Sequence, residues 1–348
     1  MTQLHSLNWY GNFNNITGYG IVNLEYPLAI QRQGIDVTVG WNRFREEFHE
    51  WQFLTQEQKD FISKPFQRSR VGIIKSLPTE FINNQSHFRI GYTMVENTKI
   101  NQQWVDCCNA MDMILVPSEF LVSVFKECGV TVPIRAVRQG INTNTFPFFN
   151  RSQRARDTFV FGTVGYMDDR KNWKDLISAF ISEFDQGEKV ELWIKNTNAM
   201  WGYANPDDER IKIIKARYSA EQMNKFYQLI DCFVFPSHGE GSGLPPREAM
   251  ATGLPTILTN WSGLSEVAVE SLSYPLTPVA IDYPDFRKEE QPGFQARLDV
   301  REIMYWMRYV YEHRTEALLR GKRASEYIHS EYSWDKCAVV LLDQLKDI

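Results

Sequence analysis

Short apolar or β-branched runs alternate with longer amphipathic stretches through the first part of the chain. A short apolar run is typical of a buried strand, whereas apolar positions three and four residues apart are typical of a helix. Strands are predicted at residues 7–10, 35–39, 71–74, 88–92, 113–116 and 134–137. Helices are predicted at about residues 19–33, 101–111 and 119–128. This alternation favours a parallel, doubly wound α/β sheet.

The alternation stops at residues 142–157, a segment rich in Asn, Thr, Arg and Phe that is interpreted as an interdomain linker. It starts again with strands predicted at 158–164, 190–194, 211–214, 232–235 and 256–259, and helices at about 173–184 and 220–230. Residues 274–294 contain four prolines and are predicted to form a long loop or insertion, before a helical end from about Asp299. A chain of 348 residues suits two such domains better than one core.

Composition narrows the class of protein. The net charge of −5 argues against a general nucleic-acid binder. A local basic run is interpreted as a solvated face, with contact to an acidic acceptor or a membrane surface as the alternative. Its members are Lys64, Arg68, Arg70 and Lys75.

The cysteines and the hydropathy of the chain indicate in which cellular compartment the protein is expected. The five cysteines include no Cys-x-x-Cys pair, which is typical of a reduced, intracellular protein. No apolar run approaches the roughly 18 residues of a membrane span, and the first 15 residues lack the apolar core of a signal peptide. A cytoplasmic location is expected, and peripheral contact at the inner membrane face stays open.

A glycine-rich loop follows the predicted strand at 232–235 and precedes a helix that ends near Gly253. The free backbone N–H groups of such a junction bind anions. Glu240 and Glu248 lie eight residues apart across it, where their carboxylates can accept hydrogen bonds from sugar hydroxyls. The expected ligand therefore carries phosphate and sugar together. The candidate phosphate or sugar contacts in the loop are Gly241, Ser242, Gly243 and Leu244.

Two further loops carry residues that suit a phosphate. Gly18 and Gly20 lie between the first predicted strand and the first helix, where glycine lets a backbone approach a ligand closely. Arg170 and Lys171 follow Gly165 at the carboxyl end of a predicted strand, the edge of an open α/β sheet where ligands bind. Paired cations there suit a pyrophosphate. An ordinary glycine turn and a surface turn with solvated charges are the respective alternatives.

The segment from Glu240 to Thr256 resembles the Glu-x7-Glu signature of the GT-B retaining glycosyltransferases of family 4. Residues 138–142 and 165–171 resemble the family's stretch before the linker and its phosphate-binding segment, so the resemblance spans nearly the whole chain. It implies a GT-B fold, in which two Rossmann-like, doubly wound parallel-sheet domains face a central cleft. The domains expected on this basis are an acceptor-side domain (1–145), a nucleotide-sugar donor domain (146–333) and a C-terminal helix crossing back to the first domain (334–348).

The resemblance also implies roles for the candidate residues. Glu248 would bind the ribose hydroxyls and Glu240 would face the hydroxyls of the transferred sugar. Arg170 and Lys171 would hold the pyrophosphate, with help from the loop of Gly18 and Gly20. The remaining donor-binding candidates are Gly165, the base-side pair Arg217 and Tyr218, and His238, for which a loop-structuring role is the alternative.

Three positions depart from the family pattern. Tyr166 stands where an arginine is usual, so one phosphate cation is missing, and Asn172 replaces a common glycine. Gln139 replaces the usual histidine before Gly140. Arg247 is hypothesised to compensate for the missing cation, in which case its removal should weaken nucleotide binding.

The first half also needs a group near the sugar and the acceptor. Glu96 and Asn97, just past a predicted strand, are the candidates, with Glu96 as the candidate catalytic residue. A separate base is not required, because in a retaining front-face transfer the departing phosphate takes the acceptor's proton. Since no Asp-x-Asp motif occurs and Arg170 and Lys171 supply positive charge, no cofactor and metal-independent activity are expected.

The function expected from these residues is transfer of a hexosyl group from a nucleotide-sugar donor to an acceptor hydroxyl, with retention at the anomeric carbon. Another GT-B enzyme, such as a nucleotide-sugar epimerase or a phosphorylase, is one alternative, and a non-catalytic nucleotide-sugar binding protein is another. The expected partners are a nucleoside diphosphate sugar and an acceptor that is a carbohydrate, a lipid-linked sugar, a metabolite or a protein. The sequence leaves the base, the sugar and the linkage open.

Overall fold

The computed structural model describes residues 4–13, 17–40, 54–152, 156–166, 168–196, 207–282 and 293–348. Within these residues the helices are α1 (Gly18–Arg32), α2 (Gln56–Ile62), α3 (Gln102–Asn109), α4 (Glu119–Glu127), α5 (Trp173–Glu183), α6 (Ala220–Leu229), α7 (Leu244–Ala251), α8 (Val300–Glu312), α9 (Arg314–Glu331) and α10 (Trp334–Gln344). The strands are β1 (Ser6–Gly11), β2 (Asp36–Gly40), β3 (Val71–Lys75), β4 (Phe88–Tyr92), β5 (Met113–Val116), β6 (Ile134–Ala136), β7 (Phe159–Gly165), β8 (Val190–Asn196), β9 (Ile211–Lys215), β10 (Cys232–Phe235), β11 (Thr256–Thr259), β12 (Tyr274–Leu276), β13 (Ala280–Asp282) and β14 (Gln295–Arg297).

The chain divides into two compact units, unit 1 (Met1–Gly140 with Glu331–Ile348) and unit 2 (Ile141–Ser330). Unit 1 contains a six-stranded sheet of order β2-β1-β3-β4-β5-β6, in which every neighbouring pair is parallel. Unit 2 contains a second six-stranded parallel sheet, of order β12-β11-β10-β7-β8-β9. The predicted pair of doubly wound α/β sheets is therefore confirmed.

The apolar runs of the sequence form strands that are buried along their whole length. Every residue of β3, β5, β10 and β11 is buried. Central strands of a parallel sheet are covered on both faces, so they need continuous apolar sequence rather than alternation. Lys75, the last residue of β3, is a charged exception to this pattern.

The C-terminal helix packs within unit 1. The ring of Trp334 in α10 lies 5.4 Å from that of Tyr26 in α1, and Tyr26 also stacks on Trp9 of β1 at 5.7 Å. The Tyr26 hydroxyl donates to the carbonyl of Arg138 at 2.9 Å. A side chain at Gly140 would meet the Trp334 Cα at 2.7 Å, so glycine is required for this close approach.

Arg151 fixes the start of unit 2 to two of its helices. Its buried guanidinium donates to the carbonyl of Thr252, just after α7, at 2.6 Å. It also donates to the carbonyl of Tyr227 in α6 at 2.8 Å. The second half of the segment interpreted as a linker is thus anchored by charge-assisted hydrogen bonds to backbone carbonyls.

The long loop predicted at residues 274–294 is wrong in part, and residues 283–292 of it lie outside the described residues. Tyr274 and Leu276 are buried in β12, which pairs in parallel with β11 at the edge of the sheet. Pro275 misled the sequence interpretation, because proline is tolerated in an edge strand, where one side of the backbone has no partner strand. The described residues after it form the antiparallel pair of β13 and β14.

The strand orders reverse at one point in each sheet, and these switch points locate the candidate sites. In unit 1 the chain adds β2 on one side of β1 and then β3 to β6 on the other, so the switch point lies between β1 and β3. In unit 2 it adds β8 and β9 on one side of β7 and then β10 to β12 on the other, so the switch point lies between β7 and β10. Ligands of open α/β sheets bind outside the carboxyl ends of the strands at such a point. Among the described residues, no helix combines the length and apolar character needed to cross a membrane.

Candidate functional site

The switch point of unit 2 brings together three of the predicted catalytic residues. The loops after β7 and β10 carry Arg170 with Lys171 and Glu240, respectively. Oε1 of Glu240 accepts hydrogen bonds from Nη1 of Arg170 at 2.7 Å and from Nζ of Lys171 at 2.6 Å. The hydroxyl of Ser237, which the sequence analysis missed, donates to the same oxygen at 2.6 Å. One carboxylate oxygen therefore receives three donors, two of them cationic.

A short turn sets the direction of both cations. Residues Asp169–Lys171 form one turn of 3-10 helix, and the side chain of Asp168 caps it by accepting from the Lys171 amide. Asn172 follows in the left-handed conformation, with φ of 56°, and leads into α5. Asparagine adopts this conformation more readily than most residues, which accounts for its presence in place of a glycine.

The charges in this network are mutually compensating. Burial raises the pKa of Glu240, but the charges of Arg170 and Lys171 and the hydrogen bonds from Lys171 and Ser237 outweigh it and hold the pKa below its ordinary value. Burial and the neighbouring Arg170 lower the pKa of Lys171, with Glu240 opposing that shift. The three charged side chains are between 9% and 11% exposed, so they interact under weak solvent screening.

The glycine-rich loop is held against a neighbouring turn. The Glu240 amide donates to the Ser262 hydroxyl at 2.9 Å, and the Gly263 amide donates to the Glu240 carbonyl at 2.9 Å. A side chain at Gly263 would approach the Gly241 carbonyl oxygen to 2.3 Å, which only glycine avoids. Gly243 has φ of 89° at the entry to α7, a conformation that also favours glycine.

Of the loop's predicted ligand contacts, Gly241, Ser242 and Leu244 are buried and Gly243 is half-buried. They lie at the N-terminus of α7, which begins at Leu244 with a proline in its first turn. This is the arrangement that the sequence predicted for an anion site.

Arg247 lies beneath this loop. It is 1% exposed and donates to the backbone carbonyls of Ser242 and Gly263, with a longer contact of 3.5 Å to Glu266. Its guanidinium thus supports the loop from inside. The hypothesis that Arg247 supplies the missing phosphate cation has no support in these contacts, and we assign it a structural role.

Glu248 forms a second buried cluster near the ends of β8 and β9. Its Oε2 accepts a hydrogen bond from the Tyr227 hydroxyl at 2.8 Å. Burial raises the pKa of Glu248 to about 7, with Tyr227 and the charge of Lys195 opposing the shift. Lys195 is 3% exposed and lies over the ring of Tyr218 at 5.2 Å. Burial lowers the pKa of Lys195 to about 8, against the influence of Glu248.

Lys195 was not singled out from the sequence, although a signal was present. A lysine at the end of the apolar run that forms β8 is unexpected in a buried strand. The predicted base-side residue Tyr218 joins this cluster, whereas Arg217 is exposed beside it.

His238 and Gly165 occupy supporting positions. The Nδ1 atom of His238 lies 2.7 Å from the Ala296 carbonyl, and the Ala296 amide donates to the His238 carbonyl. This double contact ties β14 to the loop after β10, which favours the loop-structuring role for His238. Burial lowers its pKa, with the Ala296 carbonyl opposing the shift. Gly165 ends β7, and a Cβ there would lie 3.3 Å from Cε of Lys171.

The switch point of unit 1 brings the other candidates together. Gly18 opens α1 and Gly20 is buried in its first turn, while residues 14–16 of that loop lie outside the described residues. Glu96, half-buried after β4, influences the pKa of both Tyr19 in α1 and Lys75 at the end of β3. The sequence analysis noted Lys75 only as part of a basic run, but Lys75 is fully buried here.

The other departures from the family pattern have plain structural settings. Tyr166 is 41% exposed just after β7. Gln139 is buried in unit 1, and its side-chain amide lies 3.8 Å from the Met94 sulfur. In the described part of the chain, no group of three or more His, Cys, Asp or Glu side chains is arranged to hold a metal ion.

Comparison with known proteins shows that part of unit 2 is similar to glycosyltransferases. The family model described as "Glycosyl transferases group 1" matches residues 158–278, which include Arg170, Lys171, Glu240 and Glu248. The lipopolysaccharide core biosynthesis mannosyltransferase LpsB of Rhizobium meliloti (strain 1021) is 30% identical over 117 residues, covering 34% of this chain and 31% of LpsB. The capsular polysaccharide biosynthesis glycosyltransferase CapM of Staphylococcus aureus is 26% identical over 155 residues, covering 41% of this chain and 40% of CapM. The matches span less than half the length of each relative.

Solved structures extend the likeness to both units. The crystal structure of Anabaena HepE in complex with UDP-glucose matches with a TM-score of 0.74 and 12% sequence identity, covering 99% of this chain and 100% of that one. Identity this low shows the fold alone. With its two doubly wound parallel sheets, the chain has the GT-B fold, as the sequence predicted.

Proposed function

We propose that this chain is a retaining glycosyltransferase that moves a hexosyl group from a nucleoside diphosphate sugar to an acceptor hydroxyl without a metal ion. The observation that carries the proposal is the convergence of Arg170, Lys171 and Ser237 on one oxygen of Glu240. A phosphate oxygen has the same hydrogen-bonding requirements as a carboxylate oxygen, so these donors suit a pyrophosphate. The match of residues 158–278 to a glycosyltransferase family model supports the same conclusion.

The bound HepE ligand and the names of the two relatives guide the choice of substrates. HepE was crystallised with UDP-glucose, so a UDP-sugar is the first donor to test here. The names of LpsB and CapM place those proteins in lipopolysaccharide core and capsular polysaccharide biosynthesis. We therefore propose a carbohydrate acceptor for this chain.

In the proposed mechanism, the pyrophosphate of the donor takes the place of Glu240 against Arg170 and Lys171. Glu240 is then released to accept hydrogen bonds from the hydroxyls of the transferred sugar. The bond between the anomeric carbon and the phosphate oxygen breaks on the face where the acceptor oxygen attaches. The acceptor's proton passes to the departing phosphate oxygen, and the two cations stabilise the charge that develops there.

Glu248 is proposed to accept hydrogen bonds from the ribose hydroxyls. Its buried carboxylate lies next to Lys195 and Tyr218, which gives this cluster a donor, an acceptor and an aromatic ring for a nucleoside. Glu96 in unit 1 is proposed to act on the acceptor side. These roles follow the resemblance of the sequence and the chemistry of the side chains.

The experiment is a thermal-shift panel with UDP, GDP, ADP and CMP in the presence of EDTA. A ligand at about 100 times its dissociation constant stabilises a protein by about 2.7 kcal/mol. We expect UDP to stabilise the wild type and Glu248→Gln to weaken that effect, because the loss of a charged hydrogen-bond partner costs about 1.5–3 kcal/mol. Glu270→Gln, an exposed change in the same unit, is the matched control.

Turnover of the bound UDP-sugar then separates the classes of function. Acceptor-dependent release of UDP with retention at the anomeric carbon supports the proposal. Conversion of the sugar without an acceptor would identify an epimerase, and cleavage that depends on free phosphate would identify a phosphorylase. Binding without turnover would identify a non-catalytic binding protein. Loss of all transfer in EDTA, with recovery on adding Mg²⁺ or Mn²⁺, would overturn metal independence.

A further inference from the structure

Lys75 lies at the switch point of unit 1, and the proposed transfer mechanism gives it no role. It is the last residue of β3 and pairs in register with Gly11 at the end of β1. Its exposure is 0%, and its Nζ atom has no hydrogen-bond partner among the described residues. A buried ammonium without a hydrogen-bond acceptor is costly, so such groups are rare unless a ligand or a charge compensates them.

The surroundings of Nζ are aromatic and include one acid. Nζ lies 3.8 Å from the ring centroid of Tyr19 and 4.8 Å from that of Tyr92. Tyr19 lies in the first turn of α1, so Nζ lies against a side chain of that turn. Burial lowers the pKa of Lys75 to about 7, and the charge of Glu96 opposes this shift without restoring the ordinary value.

A comparison with Lys171 indicates which kind of group would complete the hydrogen bonding of Lys75. Lys171 lies at the switch point of unit 2 with its side chain 9% exposed, but its Nζ donates to Glu240 at 2.6 Å and is therefore satisfied. A lysine side chain has three donors and no acceptor, so the group that completes Lys75 must supply acceptor atoms. The partial positive charge at the start of α1 adds to that of Lys75 and favours an anion.

We propose that Lys75, beneath the first turn of α1, is an anion-binding subsite of unit 1 for a phosphate or carboxylate group, covered in the free protein by Tyr19. The anion is either a phosphate of the donor or an acidic substituent of the acceptor. The existence of the subsite does not depend on the proposed transfer reaction, whereas its assignment to an acceptor rests on that function. In either case the Tyr19 ring turns aside to admit the ligand.

The test measures binding of sulfate to the full chain by thermal shift, with sodium chloride balancing the ionic strength. Sulfate keeps its charge through the neutral range, so it reports on the protein alone. Lys75→Met keeps an unbranched side chain, one heavy atom shorter, and removes its charge. Lys99→Met, an exposed change in the loop that carries Glu96, is the matched control.

We expect sulfate to stabilise the wild type and Lys99→Met in a saturable manner, and to lose at least half of that effect in Lys75→Met. Without sulfate, Lys75→Met should melt at least about 2 °C above the wild type, because it removes a buried charge that has no hydrogen-bond acceptor among the described residues. A merely structural lysine would give the opposite sign. Full retention of the sulfate effect, or a Lys75→Met protein that melts lower or fails to fold, would overturn the proposal.

UDP binding to the same variants distinguishes the two sources of the anion. A UDP affinity in Lys75→Met within about twofold of the wild type would assign the subsite to an acidic acceptor. A loss of about tenfold or more, typical of removing a charged hydrogen bond, would assign it to the donor phosphates. Failure of UDP to bind even the wild type would count against the proposed function, while the sulfate result would stand by itself.

Discussion

The two switch points of this molecule solve the same electrostatic problem in different ways. In unit 2, Arg170 and Lys171 are both satisfied by one oxygen of Glu240. In unit 1, Lys75 is surrounded by the rings of Tyr19 and Tyr92, with Glu96 acting only through its charge. In the first arrangement one carboxylate offsets part of the charge of two cations, whereas in the second the ammonium has no hydrogen-bond acceptor among the described residues.

The difference teaches how a site can be prepared for an anion. Cations that are paired with a carboxylate are stabilised without ligand, but a ligand must displace Glu240 before it gains the two cations. A buried lysine without a hydrogen-bonded carboxylate costs fold stability, and a ligand can pair with it without displacing another anion. The predictions below test this contrast, from the largest expected effect to the smallest.

The largest effect on stability is expected when the carboxylate of Glu240 is replaced by a neutral group. Glu240→Gln leaves two adjacent buried cations without their carboxylate, and breaking a buried pair costs about 3–5 kcal/mol. We expect the free energy of unfolding to fall by about that amount, and saturating UDP to restore more of it than it adds to the wild type. Denaturant unfolding with and without UDP measures both changes, with Glu270→Gln as the control. A variant as stable as the wild type would show that the cations do not depend on Glu240.

Replacing Lys171 and Lys75 each by methionine tests whether the two lysines have different surroundings. Lys171→Met removes a satisfied cation and should lower the melting temperature, whereas Lys75→Met should raise it. Lys171→Met should also weaken UDP binding by about 10- to 100-fold, because it removes a charge-assisted hydrogen bond. Melting curves and calorimetric titration of both variants measure these effects. Shifts of the same sign would mean that the two lysines have equivalent surroundings.

Glu248 is expected to make the stability of the protein depend on pH. Its pKa is raised to about 7, above the value of about 4.5 expected in the unfolded chain, so the native state binds the proton more tightly. The associated stability is fully present below about pH 4.5 and is lost as the pH rises through 7. We expect Glu248→Gln to keep that stability, so its melting temperature should rise relative to the wild type between pH 5 and pH 8. A constant difference across this range would mean that Glu248 does not titrate there.

The smallest effect is expected at Tyr19. Tyr19→Phe removes the hydroxyl and keeps the ring over Lys75, so the sulfate midpoint should change by less than about threefold. Tyr19→Ala uncovers Nζ, so it should lower the sulfate concentration at half-saturation by more than any change caused by Tyr19→Phe. Thermal-shift titrations of both variants measure this. Loss of sulfate binding in Tyr19→Phe would identify the hydroxyl as the ligand in place of Lys75.

Much of the fold could be predicted because its signal is local. The predicted strands at 88–92, 113–116, 232–235 and 256–259 coincide with β4, β5, β10 and β11. Buried parallel strands are continuous apolar runs, and such runs stand out between polar segments. Residues 274–276 were missed because their proline suggests a loop, and only pairing with β11 shows them to be an edge strand.

The site could be predicted as a list of residues, but not as a network. Glycines and paired charges next to predicted strands indicated Arg170, Lys171, Glu240 and Glu248. Ser237, Ser262 and Tyr227 were not indicated, because a single hydroxyl has no pattern until a carboxylate or an amide is seen beside it. Arg247 was given a phosphate role from its position in the motif, whereas its contacts are with buried carbonyls.

By itself, the sequence determined the alternation of strands and helices, the two-sheet architecture and the loops in which charged residues meet glycines, because these depend on neighbours along the chain. The tertiary structure decided which charges compensate one another. Lys75 and Lys195 are each a lysine at the carboxyl end of an apolar strand, and nothing local distinguishes them. Lys195 lies over the ring of Tyr218 in the field of Glu248, whereas Lys75 lies close to the rings of Tyr19 and Tyr92 in the field of Glu96. Only the fold supplies these partners, because electrostatic interactions act through space between elements far apart in the chain.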